Sequence, residues 1–302
     1  SFAVLHDVSL HPLLVALTVG RGDLVGFMRE LGYAYGRKGV AEAKASFVSR
    51  YYHDQEFPIF HRVVDLSLGV MVHSQYAAEV VRSLRPQANL AVIPQGTSRV
   101  RVESREESRR RLGLDPQEFI VASLGFATPE KRLEPALRAF TRFHESRPGS
   151  RFLVVGEVPP WYDLAQAIER LGLKERVLTT GRVPLRDFYA YAAAADVCLG
   201  LRYPTHGETS AALLRIMALG RPVVVSRIGS LAELPPGTCL HVPVGDGEED
   251  GILEALTCLA GDEDLRRRLG QQARAYVQRH HSWPQAARAY YQFIVDTLSS
   301  LW

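Results

Sequence analysis

The sequence predicts an α/β protein built around parallel β-sheets. Beyond residue 119, short apolar runs alternate with amphipathic helical stretches, and this alternation is typical of βαβ units. Runs such as Val223-Val224-Val225 contain no polar position, as expected for strands that are covered on both faces. The chain has 302 residues, which at roughly 150 residues per domain predicts two domains.

The second part of the chain supplies most of these elements. Its predicted strands cover 119–124, 152–155, 177–179, 197–201, 222–225 and 240–242. Its predicted helices cover 133–145, 163–171, 185–193, 210–219, 252–260 and 264–279, and Ser282 is a suitable N-cap for a last helix over 283–301. That last helix has a broad apolar face, which is typical of a packed helix rather than a solvated tail. The family resemblance given below implies that it packs on the first domain.

The first part of the chain has fewer strand patterns. We predict strands over 2–5, 68–74 and 90–94, helical structure within 10–57, and a helix over 75–84. The polar stretch 95–105 separates these elements from the regular alternation that follows. We therefore predict one domain over 1–97 together with 283–302, and a second over 98–282. No turn precedes the strand at 2–5, so we expect the first domain to be incomplete.

Composition narrows the class of protein. Hydrophobic residues make up 46% and charged residues 23%, close to the averages for soluble globular proteins, and no apolar run approaches the ~20 residues of a membrane span. The net charge of +3 is spread along the chain, which argues against a nucleic-acid partner. The three cysteines are far apart and lack zinc or redox spacing, which indicates thiols in a reducing cytoplasm.

The first motif with chemical meaning is the segment 123–132, SLGFATPEKR. It predicts a strand that ends at Gly125, followed by a loop and a helix start with Lys131 and Arg132. A cation at the carboxyl edge of a parallel sheet, beside a helix N-terminus, favours anionic ligands. The alternative is a solvated helix start without a ligand.

The second motif is the segment 203–210, YPTHGETS, which lies between a predicted strand and a predicted helix. Gly207 and the small hydroxyl residues after it would let backbone amides approach a phosphate. Ser210 can donate to a ligand oxygen or simply cap the helix. Neither a dinucleotide-binding GxGxxG fingerprint nor a Walker A sequence occurs, which argues against an NAD-dependent dehydrogenase.

Both motifs stand in one α/β domain in the order found in a known family. From Val121 onward the chain resembles the nucleotide-sugar-binding half of the GT-B glycosyltransferases, specifically retaining family 4, also called group 1. The matching segments are SLGFATPEKRLEPALRAF, RFLVVGE, LTTGRVPLRDFYAYAAAADVCLGLRYPT, GETSAALLRIMALGRPVVVS and IGSLAEL. Earlier segments, AVLHD, GVMVHSQYAAEVV and AVIPQGTS, resemble the end of the acceptor domain of the same enzymes.

The resemblance implies two Rossmann-like domains facing a cleft and transfer of a sugar from a nucleotide diphosphate sugar to an acceptor hydroxyl, with retention of configuration. The acceptor would be a glycan or glycolipid, with a cytoplasmic location and peripheral contact with the inner membrane. The donor diphosphate would contact Gly125, Lys131, Arg132, Thr209 and Ser210. The base and ribose would contact Gly181, Arg182, Val183 and Arg215.

Two residues are expected at the transferred sugar. His6 matches the histidine that contacts the donor sugar in this family, and a histidine just past a strand is well placed for hydrogen bonding or proton transfer. Glu208 lies one residue from the first glutamate of the family's glutamate pair. The second glutamate, which holds the donor ribose, is replaced by Arg215, and Phe126 stands where an arginine usually follows the glycine.

These departures leave two hypotheses open. In the first, the chain is a catalytic subgroup variant in which Glu208 serves the transferred sugar and Arg132 supplies the missing phosphate contact. In the second, donor binding is weakened and the chain is a non-catalytic GT-B-like binding subunit. Neither motif contains an Asp-x-Asp pair that could clamp a metal on the diphosphate, so we expect a site without metal or other cofactor.

Overall fold

A computed structural model describes residues 1–49, 55–98 and 103–301 of the chain. Contacts divide it into two compact units. Unit 1 comprises 1–95, 204–209 and 284–302, and unit 2 comprises 96–203 and 210–283. The predicted boundaries at 97 and 282 lie within two residues of the observed divisions. The segment 204–209, which we expected in the second domain, has its contacts in unit 1.

Unit 1 contains a three-stranded parallel sheet in the order β1-β2-β3. Its strands are β1 (Phe2–Leu5), β2 (Gly69–Val72) and β3 (Leu90–Val92), and its helices are α1 (His11–Leu17), α2 (Leu24–Ser49), α3 (His61–Asp65) and α4 (Gln75–Leu84). Helix α2 is interrupted at Gly36, whose φ of 60° is left-handed. Residues 50–54 of the predicted helical region lie outside the described residues, as do 99–102 of the predicted polar linker.

The β-sheet of unit 1 is held by a small apolar core. Val70 and Val72 from the fully buried β2 pack with Leu5 and with Ala78 and Val81 of α4. Helix α4 begins where predicted, because the side chain of Ser74 accepts a hydrogen bond from the backbone N–H of Ala77. The register pairs Leu5 with Val72, so the residues that follow these two strands start at the same level.

The last helix, α12 (Trp283–Ser299), makes its contacts from residue 284 onward within unit 1. The Phe293 ring meets the Phe2 ring edge-on with centroids 6.2 Å apart. Asn89 Nδ2 donates to Thr297 Oγ1 at 2.9 Å. These contacts explain why the helix carries the apolar face that the sequence shows.

Unit 2 contains a six-stranded parallel sheet in the order β6-β5-β4-β7-β8-β9. Its strands are β4 (Phe119–Leu124), β5 (Ser150–Val155), β6 (Val177–Thr179), β7 (Val197–Gly200), β8 (Val223–Ser226) and β9 (Leu240–Val242). Its helices are α5 (Arg105–Leu112), α6 (Leu133–Ser146), α7 (Leu164–Arg170), α8 (Leu185–Ala194), α9 (Ala211–Ala218), α10 (Glu248–Gly261) and α11 (Glu263–His280).

Helices cover both faces of this sheet, as the unbroken Val and Leu runs predicted. Side chains of α6, α7 and α10 pack with alternate residues of β4 and β5 in one core cluster. Side chains of α8, α9 and α11 pack with the intervening residues in the other. Within the described ranges no helix is both long and apolar enough to cross a membrane.

A buried ion pair joins α5 to this sheet. The Arg109 side chain is 1% exposed, and its NH2 group donates to Asp196 Oδ2 at 2.7 Å. Its Nε donates to the carbonyl oxygen of Ala194 at 2.9 Å, and its NH1 group donates to that of Glu118 at 2.8 Å. Asp196 Oδ2 also accepts from the backbone N–H of Ile120 at 2.7 Å. One carboxylate therefore fixes α5, the start of β4 and the residue before β7.

Replacing Asp196 with Ala should destabilise unit 2 by about 3 to 5 kcal/mol, because Arg109 would keep a buried charge without its counter-ion. Asp187→Ala is the matched control. It removes a carboxylate that pairs with Arg111. The Asp187 side chain is about one-third exposed, so its loss should cost at most about 1 kcal/mol. Urea unfolding followed by circular dichroism measures both changes, and equal losses would contradict the structural role of Asp196.

The buried His61 should make unit 1 sensitive to acid. His61 is 1% exposed, and neither ring nitrogen has a hydrogen-bond partner among the described residues. Burial lowers its pKa from the ordinary 6.5 to about 4. The unfolded chain therefore takes up a proton at a higher pH than the folded chain. Stability is fully present above pH 6.5 and declines as the pH falls toward 4.

Lowering the pH from 7.5 to 5 should reduce the free energy of unfolding by about 2 kcal/mol through His61. His61→Phe keeps a ring beside Phe60, whose ring stacks on His61 at 4.8 Å, and should remove this share of the pH dependence. Thermal melts of the wild type and of His61→Phe at both pH values provide the measurement. Parallel pH dependence in the two proteins would show that His61 is not the cause.

Candidate functional site

The carboxyl edge of β4, β5 and β6 in unit 2 is lined by bare backbone. Each strand is followed closely by a glycine, namely Gly125, Gly156 or Gly181. Gly125 N–H donates to the carbonyl oxygen of Val155 at 2.9 Å, and Gly156 forms a bridge with Gly181. A Cβ on Gly156 would lie 2.0 Å from the Gly125 carbonyl oxygen, so only glycine fits there. The carboxyl ends of these three strands therefore present backbone rather than side chains.

Lys131 lies beside Gly125, at the end of β4. A single 3₁₀ turn, Pro129–Lys131, follows the Gly125 loop and brings the lysine back over the strand end. A Cβ on Gly125 would lie 3.6 Å from Lys131 Nζ and 3.6 Å from the Cβ of Ala212, near the N-terminus of α9. An ammonium group and a helix N-terminus thus meet beside a residue that has no side chain. Both favour a negatively charged group at this position.

Arg132, the other predicted phosphate ligand of this loop, is engaged elsewhere. Its Nε donates to Glu248 Oε1 at 3.0 Å, and Glu248 is only 2% exposed. Hydrogen bonding to Glu248 raises the pKa of the guanidinium. The guanidinium also lies 5.6 Å from the ring centroid of Tyr203. Its charge is balanced within the protein, and its contact with a diphosphate stays a prediction.

The two hydroxyl residues of the second motif differ in their contacts. Ser210 Oγ accepts a hydrogen bond from the Leu213 N–H at 3.2 Å and caps α9, which is the simpler of its two predicted roles. Thr209 Oγ1 is buried and has no partner among the described residues. A buried hydroxyl without a partner is costly, so a ligand oxygen at this position would stabilise the folded protein.

The predicted base and ribose residues lie on the loop after β6 and on α9. Gly181 has a φ of 66°, Arg182 is exposed, and Val183 packs against the apolar core. Arg215 is half-buried on α9, one turn beyond Ala211 and Ala212. Neither Arg182 nor Arg215 has a hydrogen-bond or ion-pair partner in the part of the chain that the structure describes. Both guanidinium groups are therefore available to a ligand.

In unit 1, the segment 204–209 docks on the residues that follow β1. Val8 N–H donates to the carbonyl oxygen of His206 at 2.7 Å. Gly207 has a φ of 80°, and a Cβ there would lie 2.5 Å from Val8 Cγ2. Glu208 Oε2 accepts from Thr205 Oγ1 at 2.9 Å and from the His206 N–H at 2.8 Å. His6 and Glu208, both predicted at the sugar, therefore belong to the same unit.

His73 is a site residue that sequence reasoning missed. Its Nε2 lies 3.1 Å from His6 Nδ1, and its own Nδ1 lies 2.8 Å from the carbonyl oxygen of Ile93. Burial lowers the pKa of His73. The sequence contained the information, because His6 directly follows the predicted strand 2–5 and His73 is the last residue but one of the predicted strand 68–74. In a parallel pair those positions lie side by side.

Tyr76 completes this end of unit 1. A Cβ on Gly207 would lie 3.5 Å from Tyr76 Cε1, so the tyrosine ring packs beside the docked segment. Burial and then the charge of Glu208 raise the Tyr76 pKa. Its hydroxyl therefore keeps its proton at neutral pH and remains a hydrogen-bond donor.

Curated relatives share sequence with about two thirds of this chain. The D-inositol 3-phosphate glycosyltransferase of Segniliparus rotundus is 31% identical over 65% of this chain and 44% of its own length. The 2-deoxystreptamine N-acetyl-D-glucosaminyltransferase of Streptomyces fradiae is 30% identical over 61% of this chain and 44% of its own length. The chain thus matches less than half the length of either relative.

Solved structures match almost the whole chain. Sucrose-phosphate synthase from Thermosynechococcus elongatus superposes with a TM-score of 0.72 and 20% identity, covering 99% of this chain and 68% of its own. Anabaena HepE, solved in complex with UDP and glucose, superposes with a TM-score of 0.70 and 19% identity, covering 99% and 71%. The predicted GT-B fold class is confirmed.

The family model described as glycosyl transferases group 1 matches residues 118–262, from the start of β4 to the end of α10. The match includes Gly125, Lys131 and the whole of α9. Residues 118–262 are therefore similar to the group 1 glycosyl transferases, in agreement with the resemblance seen in the sequence.

Proposed function

We propose that the protein transfers a sugar from a nucleotide diphosphate sugar to an acceptor hydroxyl, with retention of anomeric configuration. The observation that carries the proposal is the position of Lys131 Nζ beside Gly125 and the N-terminus of α9. This arrangement suits a diphosphate, which gains negative charge as it leaves the sugar. The relatives named above are glycosyltransferases, and HepE was solved with UDP and glucose, which supports the same substrate class.

The diphosphate would be stabilised by residues of the chain alone. Lys131 supplies a positive charge, the first N–H groups of α9 supply donors, and the bare Gly125 edge lets the phosphate oxygens approach the backbone. Thr209 belongs to unit 1, and its contact with the diphosphate stays a prediction. We therefore propose that the reaction proceeds without a metal ion or other cofactor.

His6 and Glu208 are proposed to act on the sugar. The Glu208 carboxylate is oriented by the Thr205 hydroxyl and the His206 N–H, which both donate to Oε2. A carboxylate accepts hydrogen bonds, as contact with a sugar hydroxyl requires. His6 is exposed next to β1, so its second ring nitrogen is accessible to a substrate. Oriented hydrogen bonds of this kind position a sugar relative to its leaving group.

Arg182 and Arg215, with Gly181 and Val183, are proposed to contact the nucleoside. A glutamate would accept hydrogen bonds from ribose hydroxyls, whereas the guanidinium of Arg215 only donates them. Arg215 would therefore bind ribose through the oxygen lone pairs or reach a phosphate oxygen. A glycan or a lipid-linked sugar remains the predicted acceptor, and cytoplasmic location with peripheral membrane contact stays a prediction.

A non-catalytic binding subunit is the alternative, and Arg215 is the observation that favours it. Two measurements on one preparation separate the two functions. Thermal shift with UDP, GDP and ADP tests nucleotide binding, since a ligand at 100 times its dissociation constant adds about 2.7 kcal/mol. Release of UDP from UDP-glucose and of GDP from GDP-mannose tests turnover. Stabilisation with release supports the transferase, and stabilisation without release supports the binding subunit. No stabilisation by any nucleotide would contradict both.

Lys131→Ala should weaken binding of the stabilising nucleoside diphosphate by about 1.5 to 3 kcal/mol, or roughly 10- to 150-fold, because it removes a charge-assisted contact. Lys174→Ala is the matched control, since Lys174 lies in the loop between α7 and β6 and should leave affinity unchanged. Isothermal titration calorimetry measures both. Equal affinity in the wild type and Lys131→Ala would remove Lys131 from the site.

Gly156→Ala should lower both stability and nucleotide affinity, because its Cβ would clash with the Gly125 carbonyl oxygen and displace the β4 edge. Gly156 also has a φ of 150°, which L residues rarely adopt. Gly149→Ala introduces the same methyl group where nothing lies within 4 Å, and it should change neither property. We expect a loss of about 2 kcal/mol or more for Gly156→Ala by thermal denaturation. A loss similar to that of Gly149→Ala would show that the close approach is not needed.

A further inference from the structure

The contacts of His73 with Ile93 and His6 define a chain of hydrogen bonds at the end of the unit 1 sheet. The carbonyl oxygen of Ile93 can only accept a hydrogen bond, so His73 Nδ1, at 2.8 Å, must carry the proton. The Ile93 residue is itself fixed, because its N–H donates to the Val72 carbonyl oxygen at 2.8 Å. The direction of the first hydrogen bond therefore follows from chemistry and distance alone.

The direction of the second hydrogen bond follows from the first. A neutral His73 with its proton on Nδ1 presents a lone pair at Nε2. His6 Nδ1, at 3.1 Å from that lone pair, must then be the donor. His73 is 7% exposed, and burial disfavours its charged form, in agreement with its lowered pKa.

We propose that His73 is a positioning residue that holds His6 as the Nδ1–H tautomer and leaves the Nε2 lone pair of His6 facing substrate. His6 Nδ1–H then donates to His73 Nε2, and His73 Nδ1–H donates to the carbonyl oxygen of Ile93. His6 accepts a hydrogen bond from a sugar or acceptor hydroxyl and can take its proton. This inference rests on the proposed function for the identity of the substrate, but the tautomer itself does not require one.

The fold supports this assignment. Leu5 and Val72 are register partners in parallel strands, so His6 and His73 start from adjacent strand ends. The two rings lie 4.8 Å apart between centroids at 45°, close enough to restrict rotation of the exposed ring. Ser74 caps α4 directly after His73 and fixes the backbone on that side. The ring of free histidine favours the proton on Nε2, so His73 must impose the opposite tautomer on His6.

The test is ¹⁵N NMR of the full chain labelled at its ten histidines, at pH 7.5 and without substrate. Long-range ¹H–¹⁵N correlations distinguish the two tautomers, and loss of signals in His6→Asn assigns His6. The wild type should show His6 protonated at Nδ1. Protonation of wild-type His6 at Nε2 would overturn the proposal.

Two variants of His73 and one control complete the design. His73→Phe removes the acceptor, so His6 should revert to the Nε2–H tautomer. His73→Gln supplies an amide oxygen for His6 and an amide N–H for Ile93, and it should preserve the Nδ1–H form. His61→Phe replaces another buried histidine of unit 1 and should leave the His6 signals unchanged. If His73→Phe does not fold, His73→Gln still decides, because reversion to Nε2–H in that folded variant contradicts a role for the acceptor.

Failure of this inference and failure of the proposed function are distinguishable. If His6 carries its proton on Nδ1 but the protein releases no nucleotide from any donor, the chain of hydrogen bonds is retained and the transferase function is rejected. If His6 carries its proton on Nε2 and the protein does release nucleotide, the chain of hydrogen bonds is rejected and the transferase function is retained.

Discussion

The buried ion pair between Arg109 and Asp196 is the constraint on which unit 2 depends. A guanidinium that is 1% exposed is tolerated only because a carboxylate and several carbonyl oxygens surround it. The same carboxylate binds the Ile120 N–H at the start of β4. The opposite end of β4 carries Gly125. A contact at the amino edge of the sheet therefore helps to set the position of the strand whose carboxyl end forms the candidate site.

Glycine determines what that carboxyl end can do. The Gly156 position is closed to any side chain by the Gly125 carbonyl oxygen, and the resulting close packing leaves backbone rather than side chains at the edge. In unit 1, Gly207 meets the same kind of limit at Val8, where a methyl group would clash. The two proposals, diphosphate binding in unit 2 and sugar contact in unit 1, therefore each rely on a backbone approach that only glycine permits.

The sequence predicted the regular features of this structure well because they depend on local patterns. All nine strands within the described ranges were anticipated within a few residues, because each depends on an apolar run and on the turn residues next to it in the chain. Lys131 was singled out because its loop and the helix start are contiguous in the chain, and its contact with a diphosphate stays a prediction. The Arg132–Glu248 pair was not anticipated, since 116 residues separate its members. Sequence reasoning also placed 204–209 in the second domain, because its docking on Val8 is a tertiary contact that no local pattern encodes.

The arginines of unit 2 show how pairing separates structural cations from candidate ligand-binding ones. Arg109 and Arg132 each pair with a buried carboxylate, so their charges are balanced within the folded chain. Arg215 is half-buried and has no such partner among the described residues. Partial burial of an unpaired charge costs free energy, and a bound phosphate would recover it. The replacement of an acidic residue by Arg215 therefore changes the preferred ligand contact from hydroxyl donors to anionic acceptors. Lys131, near the N-terminus of α9, and Arg215, within α9, are both cations, and two cations suit a donor held chiefly by its phosphates.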